Sequence, residues 1–160
     1  MRFSACSSEQ SLELLASLAH RIWNDYYPPI IGQAQVDYML NAFYSYAALQ
    51  EQIKEGQQFF IIEEEQQTIG FFSVSPKSEQ EVFINKFYIQ TMLHGKGYGA
   101  KVMGEIKEKF KGSRLSLTVN RQNYKAINFY FKEGFRIKEV ADFDIGNGYV
   151  MNDFVMVFES

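Results

Sequence analysis

Glycine recurs at alternate positions in Gly95-Lys96-Gly97-Tyr98-Gly99. Residues without a Cβ accept positive φ and let an anion approach the backbone closely. A β-rich run, Phe87-Tyr88-Ile89, comes just before, and Tyr98, Val102, Ile106 and Phe110 follow at helical spacing. A turn that ends a strand and opens a helix leaves backbone N–H groups unpaired, which suits phosphate oxygens. Lys96 adds a cation inside the turn. A plain strand-to-helix turn is the alternative reading, and three glycines in five residues argue against it.

The pattern narrows the phosphate ligand. Gly-Lys-Ser/Thr after a longer gap, the mark of a P-loop, is absent. Gly95, Gly97 and Ala100 satisfy G-x-G-x-x-G/A formally, but the dinucleotide fold also needs an acidic residue ending the next strand. Here the run Leu115 to Val119 is followed by Asn120 and Arg121. Too little chain remains for a second mononucleotide-binding half.

A second stretch carries chemistry: Asn123-Tyr124-Lys125-Ala126-Ile127-Asn128-Phe129-Tyr130-Phe131-Lys132-Glu133-Gly134-Phe135. A phenol at Tyr130 is protonated at neutral pH and can donate a proton. With Ile127 and Phe131 beside it on a helix, it could equally be a core residue. Asn123 could cap that helix. Lys96, Lys101, Arg121 and Lys125 are candidate partners for phosphates, each alone more often a solvated charge.

Taken in order, the two stretches resemble the acyl-CoA-binding motif and the following Asn…Tyr motif of the GNAT N-acetyltransferase superfamily. Thr91 and His94 stand where that family often has Pro and Arg or Gln. The resemblance implies acetyl-CoA as cosubstrate, held by Phe87, Tyr88, Ile89, His94, Gly95, Lys96, Gly97, Tyr98, Gly99, Ala100 and Asn123. It implies that Phe87 to Ile89 pairs with the pantetheine arm, and that Ile89 N–H polarises the thioester carbonyl. Tyr130 falls at the family's tyrosine, the proton donor to the departing thiolate. The family often places a carboxylate as general base on the strand before the loop. Asn85 and Lys86 occupy the positions just before Phe87, so Glu81, earlier on that strand, is the candidate, with His94 and His20 as alternatives. Asp142, Asp144 and Asp153 could hold a cationic substrate, although turn and edge-strand polarity would also account for them. Aromatics interleaved with Asp25 in Trp23-Asn24-Asp25-Tyr26-Tyr27-Pro28-Pro29 could bind an alkylammonium by cation–π contact, or simply pack a helix end. That segment together with Asp144-Ile145-Gly146-Asn147-Gly148-Tyr149 faintly resembles bacterial spermidine/spermine acetyltransferases. The implied activity is acetyl transfer to a primary amine, a polyamine or other small amine. A non-catalytic acyl-CoA-binding or regulatory module of the same fold is the rival.

Composition sets the bounds. At 160 residues the chain is most simply one acetyltransferase domain, residues 1–160, with room for a sizeable core. A single cysteine, Cys6, excludes an internal disulfide and any multi-cysteine metal site, so no metal is expected and a reduced, cytoplasmic setting fits. No apolar run approaches about 18 residues, which argues against a membrane span. A net charge of −3 argues against nucleic acid and is compatible with a cationic amine. A homodimer is left open.

The elements that must position these residues follow from periodicity. A short strand over 1–6 is followed by a helix capped at Ser7 or Ser8 and halted near Tyr26 or Tyr27 by Pro28. Pro28 to Gly32 reads as a stiff connector. Two helices follow, one holding Val36, Met39, Leu40 and Phe43, the other running from about Ala47 to Glu55. Strands are expected at 59–62, 68–74 and 81–89, with a turn at Pro76-Lys77-Ser78-Glu79 and Gly70 marking a bulge or a close approach. A helix, a strand, a helix and a hairpin of two strands, 135–143 and 149–158, complete the chain. The expected fold is α/β of the α+β kind. Its mixed, mostly antiparallel sheet has about seven strands, is flanked by helices, and contains a splayed acyl-CoA-binding strand pair as in GNAT proteins.

Overall fold

The computed structural model describes residues 1–159. Its elements run β1 (Arg2–Ala5), α1 (Glu9–Tyr26), α2 (Pro28–Ile31), α3 (Gln33–Tyr44), α4 (Tyr46–Lys54), β2 (Gln58–Glu64), β3 (Gln67–Ser78), β4 (Glu81–Ile89), α5 (Tyr98–Lys109), β5 (Arg114–Asn120), α6 (Tyr124–Lys132), β6 (Arg136–Gly146) and β7 (Tyr149–Phe158). The strands pair in the order β1-β2-β3-β4-β5-β7-β6. β4 and β5 run parallel, while β1–β2, β2–β3, β5–β7 and β6–β7 are antiparallel. The chain divides into two compact units. One holds Met1–Ser75 and Lys86–Gly99; the other holds Pro76–Asn85 and the chain from Ala100 onward.

In the first unit, α1 starts where Ser8 Oγ accepts the Ser11 N–H at 3.2 Å and Ser11 Oγ accepts the Ser8 N–H at 3.1 Å. This reciprocal cap satisfies two donors that a bare helix end leaves orphaned. Leu12, Leu15, Leu18, Ala19, Ile22 and Trp23 form its buried stripe. Each fully buried leucine contributes roughly 2 kcal/mol. Pro28 and Pro29 do not make a connector; they open the one-turn helix α2. Proline suits a first helical turn, where its missing N–H would have had no partner. Cys6 is buried just after β1, its N–H bonded to the Phe59 carbonyl.

Strand β3 runs through Pro76 to Ser78, past the expected turn. Its pairing with β2 has already ended at Gln58↔Val74, so no rung on that side asks Pro76 for a donor. Gly70 meets both sequence expectations. The β2–β3 register shifts beside its partner Ile62, and a Cβ on Gly70 would collide with the Tyr88 carbonyl oxygen of β4.

The second unit is built on β5 and β7, with the apolar residues Leu115, Leu117, Met156 and Val157 buried. Met103, Val102 and Ile106 of α5 and Ile127 and Tyr130 of α6 are buried as well. The hairpin from β6 to β7 turns through Gly146, Asn147 and Gly148, all at positive φ.

Candidate active site

The parallel ladder between β4 and β5 runs from Glu81↔Arg114 to Ile84↔Leu117 and ends there among the described residues. Strand β4 continues five residues further, to Ile89, and β5 three further, to Asn120. The sheet is thus mixed, as expected, and its parallel ladder stops short of both strand ends. Past Ile89 the chain makes a single 3-10 turn, Thr91–Leu93, and then enters the glycine loop. Gly95 and Gly97 have φ of +77° and +83°, a region that residues with a Cβ rarely adopt. Both are exposed, and α5 begins at Tyr98, directly after them. Gly99 already lies inside α5 and needs no special φ.

The loop fits an acyl-CoA phosphate. A Cβ built at Gly95 or Gly97 meets nothing within 4 Å, so the backbone there faces open space at the start of a helix. Lys96 is exposed between the two glycines. His94, standing where Arg or Gln was expected, ties the strand end. Its Nε2 donates to the Ile89 carbonyl at 2.9 Å, and its ring meets Tyr26 edge-on at 5.5 Å.

Aromatic side chains gather behind this strand end. Trp23 stacks on Tyr27 at 4.3 Å, and the Tyr44 hydroxyl donates to the Tyr88 hydroxyl at 3.1 Å. Burial pushes the Tyr44 phenol well above its ordinary pKa. The Trp23 to Tyr27 rings thus fill one another's faces, as helix-end packing requires.

On α6, Asn123 is buried and its Oδ1 accepts the Ala126 N–H at 3.2 Å, so it caps the helix. Tyr130 is buried and meets Phe129 and Phe135 edge-on. Glu81 opens β4, at the far end of that strand from Ile89, and accepts the Ser116 hydroxyl at 3.2 Å. Arg121 is engaged with Asp142. Asp144 accepts the Gly146 N–H at 2.8 Å and so closes the hairpin turn.

Residues 29–150 match the model of the acetyltransferase (GNAT) domain. The chain belongs to the GNAT acetyltransferase family. Membership makes it an acetyl-CoA-dependent N-acetyltransferase. It is 26% identical over 149 residues to an uncharacterised N-acetyltransferase of Mycobacterium tuberculosis (strain ATCC 25618 / H37Rv), spanning 91% of this chain and 95% of the relative. Among solved structures it is similar to the PaiA N-acetyltransferase of Thermoplasma acidophilum in complex with coenzyme A. That match has a TM-score of 0.78, 22% identity and full coverage of both chains. A spermidine N-acetyltransferase SpeG chimera from Vibrio cholerae and hSSAT matches with a TM-score of 0.70 and 15% identity, over 99% of this chain and 96% of that one. Both structural likenesses concern the fold.

Two buried charged residues of this GNAT chain stand out: Lys86, to which the sequence assigned no role, and Asp153, named there only as one of three aspartates that could hold a cationic substrate. Lys86 lies on the same face of β4 as Ile84 and Tyr88. Its Nζ donates to Gln52 Oε1 at 2.6 Å and sits 5.3 Å from the ring centroids of both Tyr44 and Phe59. Burial pulls its pKa down to about 7. Asp153 lies on β7 between β5 and β6, with no side-chain exposure and no hydrogen-bond partner on either carboxylate oxygen. The available sequence signal was position: each charged residue interrupts an apolar strand run. No group of three or more His, Cys, Asp or Glu side chains among the described residues could hold a metal ion.

Proposed function

We propose that this GNAT protein transfers the acetyl group of acetyl-CoA to the primary amine of a small molecule, with polyamines as the first class to test. The supporting observation is the sequence of three features along one stretch of chain: a strand that outruns its parallel ladder, an exposed positive-φ glycine pair, and a helix start. Gly95 to Ala100 would hold the phosphates through backbone N–H groups, with Lys96 adding charge. Phe87, Tyr88 and Ile89, which lie beyond the end of the β4–β5 ladder, would run alongside the extended arm as a guest strand does in strand addition. Acetyl-CoA, when bound, supplies an activated acyl carbon and a thiolate leaving group. Tyr130 would deliver the proton that the sulphur needs. Asn123 would reach the ligand while capping α6. The spermidine acetyltransferase likeness supports including polyamines, since that neighbour shares the fold across nearly its whole length.

The test is release of CoA thiol from acetyl-CoA with a panel of polyamines, amino acids and aminoglycosides. Turnover confined to amines supports the reading, and no thiol release with any member overturns it. Tyr130→Phe removes one hydroxyl and little volume. If the phenol protonates the thiolate, kcat falls about 10²- to 10⁴-fold with acetyl-CoA affinity unchanged. If Tyr130 only packs against Phe129 and Phe135, turnover per folded molecule stays at the wild-type value.

A further inference from the structure

The second unit contains a carboxylate that the fold does not use. Of the three aspartates around the final hairpin, Asp142 pairs with Arg121 and Asp144 closes the turn. Asp153 does neither. It forms the last rung of the β5–β7 ladder, opposite Asn120, and faces Ala141 on its other side. It is therefore in an inner strand and not at an edge. Its side chain is wholly buried, and neither oxygen has a hydrogen bond of good geometry, the Thr118 hydroxyl being the one neighbour that leans toward it. Buried polar groups are almost always paired, because leaving one unpaired costs a large desolvation penalty. An orphaned carboxylate in a strand core is thus a group kept for something the protein itself does not supply.

Its surroundings suit proton transfer. Burial raises its pKa to about 6. The Thr118 hydroxyl and the Arg121 guanidinium favour the charged form, and Asp142 opposes it. Glu139, on the same face of β6, is exposed. A base poised just below neutral pH is ionised in use and still accepts a proton readily. Position along the chain agrees. The Asn123 N–H bonds the carbonyl of Asn120, so the rung that carries Asp153 leads directly into the cap of α6, the helix of Tyr130.

We propose that Asp153 is the proton acceptor for the amine substrate. An alkylammonium gives one proton to the Asp153 carboxylate, leaving a neutral amine with a free lone pair and a carboxylic acid. In the net transfer a carbon–nitrogen bond replaces the carbon–sulphur bond, nitrogen loses a proton and sulphur gains one. This rests on the N-acetyltransferase reading above, and fills the role for which Glu81 was the sequence candidate.

The experiment compares wild type, Asp153→Asn, Asp142→Asn and Glu81→Gln by thiol release from pH 5 to 9, with calorimetric acetyl-CoA affinity and melting temperature measured on each. Asp153→Asn is expected to lose 10²- to 10⁴-fold in kcat, to keep acetyl-CoA affinity, and to lose the acidic limb of the rate profile near pH 6. Asp142→Asn is expected to move that limb to lower pH, because it removes the charge that raises Asp153. Glu81→Gln is expected to keep the limb. Independently of activity, Asp153→Asn should melt higher than wild type at pH 8 and equal to it at pH 4. Wild-type turnover in Asp153→Asn overturns the assignment. So does a melting difference that does not change with pH, since the carboxylate would then not be buried in its charged form. A wild type inactive on every amine overturns the substrate reading and this one with it. A CoA-induced melting shift in that case would show the glycine loop to be sound.

Discussion

Lys86 and Asp153 each put an ionisable group inside the protein, and burial pushes both toward the neutral form, to about 7 and about 6. They differ in what surrounds them. Gln52 Nε2 donates to the Phe43 and Ala48 carbonyls at 2.8 and 3.0 Å, which turns Gln52 Oε1 onto Lys86. Tyr44 and Phe59 then offer their ring faces to the same nitrogen. Amide oxygen and ring faces all favour an ammonium, so they offset part of the desolvation. Lys86 is provided for by the scaffold. Asp153 has only the Thr118 hydroxyl and the charge of Arg121 to set against its burial, and no well-formed hydrogen bond. A shifted pKa marks burial in both cases; the missing partner is what separates a group held for chemistry from one held for packing.

The contrast is open to attack at several scales. The largest effect lies in turnover. Lys86→Met should keep kcat per folded molecule within about threefold, against a loss of 100-fold or more in Asp153→Asn. An equal loss in both would erase the distinction and make Lys86 a candidate base.

The next effect is the pH dependence of stability, read from denaturant unfolding between pH 4 and 10. Lys86 has a folded pKa below its unfolded value of about 10.4. Its contribution is therefore complete above pH 10 and lost as pH falls through 7. Lys86→Met removes that dependence, worth at most about 5 kcal/mol. Asp153 has the opposite sign. Its folded pKa lies above the unfolded one, so its stabilising contribution is complete below pH 4 and lost as pH rises through 6. Asp153→Asn should therefore gain about 1–3 kcal/mol at pH 8. If the two variants shift stability in the same direction across pH, the opposition drawn here is wrong. The smallest effect belongs to the aromatic wall beside Lys86. Tyr44→Phe gives up the bond to the Tyr88 hydroxyl and should cost about 1 kcal/mol in chemical unfolding.

Local signals in the sequence located most features whose governing contact was local, the one-turn helix α2, expected as a connector, being the exception. Ser8 with Ser11, Pro28 after Tyr26 and Tyr27, and the Gly146-Asn147-Gly148 turn each act within a few residues, and the elements they bound appear where expected. The glycine loop belongs to the same class, with Gly95 and Gly97 taking the positive φ their type allows. Errors came where a distant partner decided the outcome. The extension of β3 through Pro76 depends on where β2 stops. Lys86 meets its acceptor 34 residues away, at Gln52. For Asp153 the sequence left a substrate role and turn or edge-strand polarity side by side, because nothing in the run Asn152-Asp153-Phe154 says that β7 lies between two other strands. Alternation tells which face a side chain takes, not which residues wait there.

Cys6 has a practical consequence for every thiol-release measurement named above. It is the chain's one cysteine, 6% exposed, with burial lifting its thiol to about 11. Only a thiolate attacks a disulfide-exchange reagent and expels its coloured thiolate, so at assay pH the buried Cys6 of the folded protein is expected to stay silent and the colour to report coenzyme alone. The same silence makes Cys6 a clock. Its labelling rate under native conditions measures how often the β1 edge opens, with no probe added to the molecule.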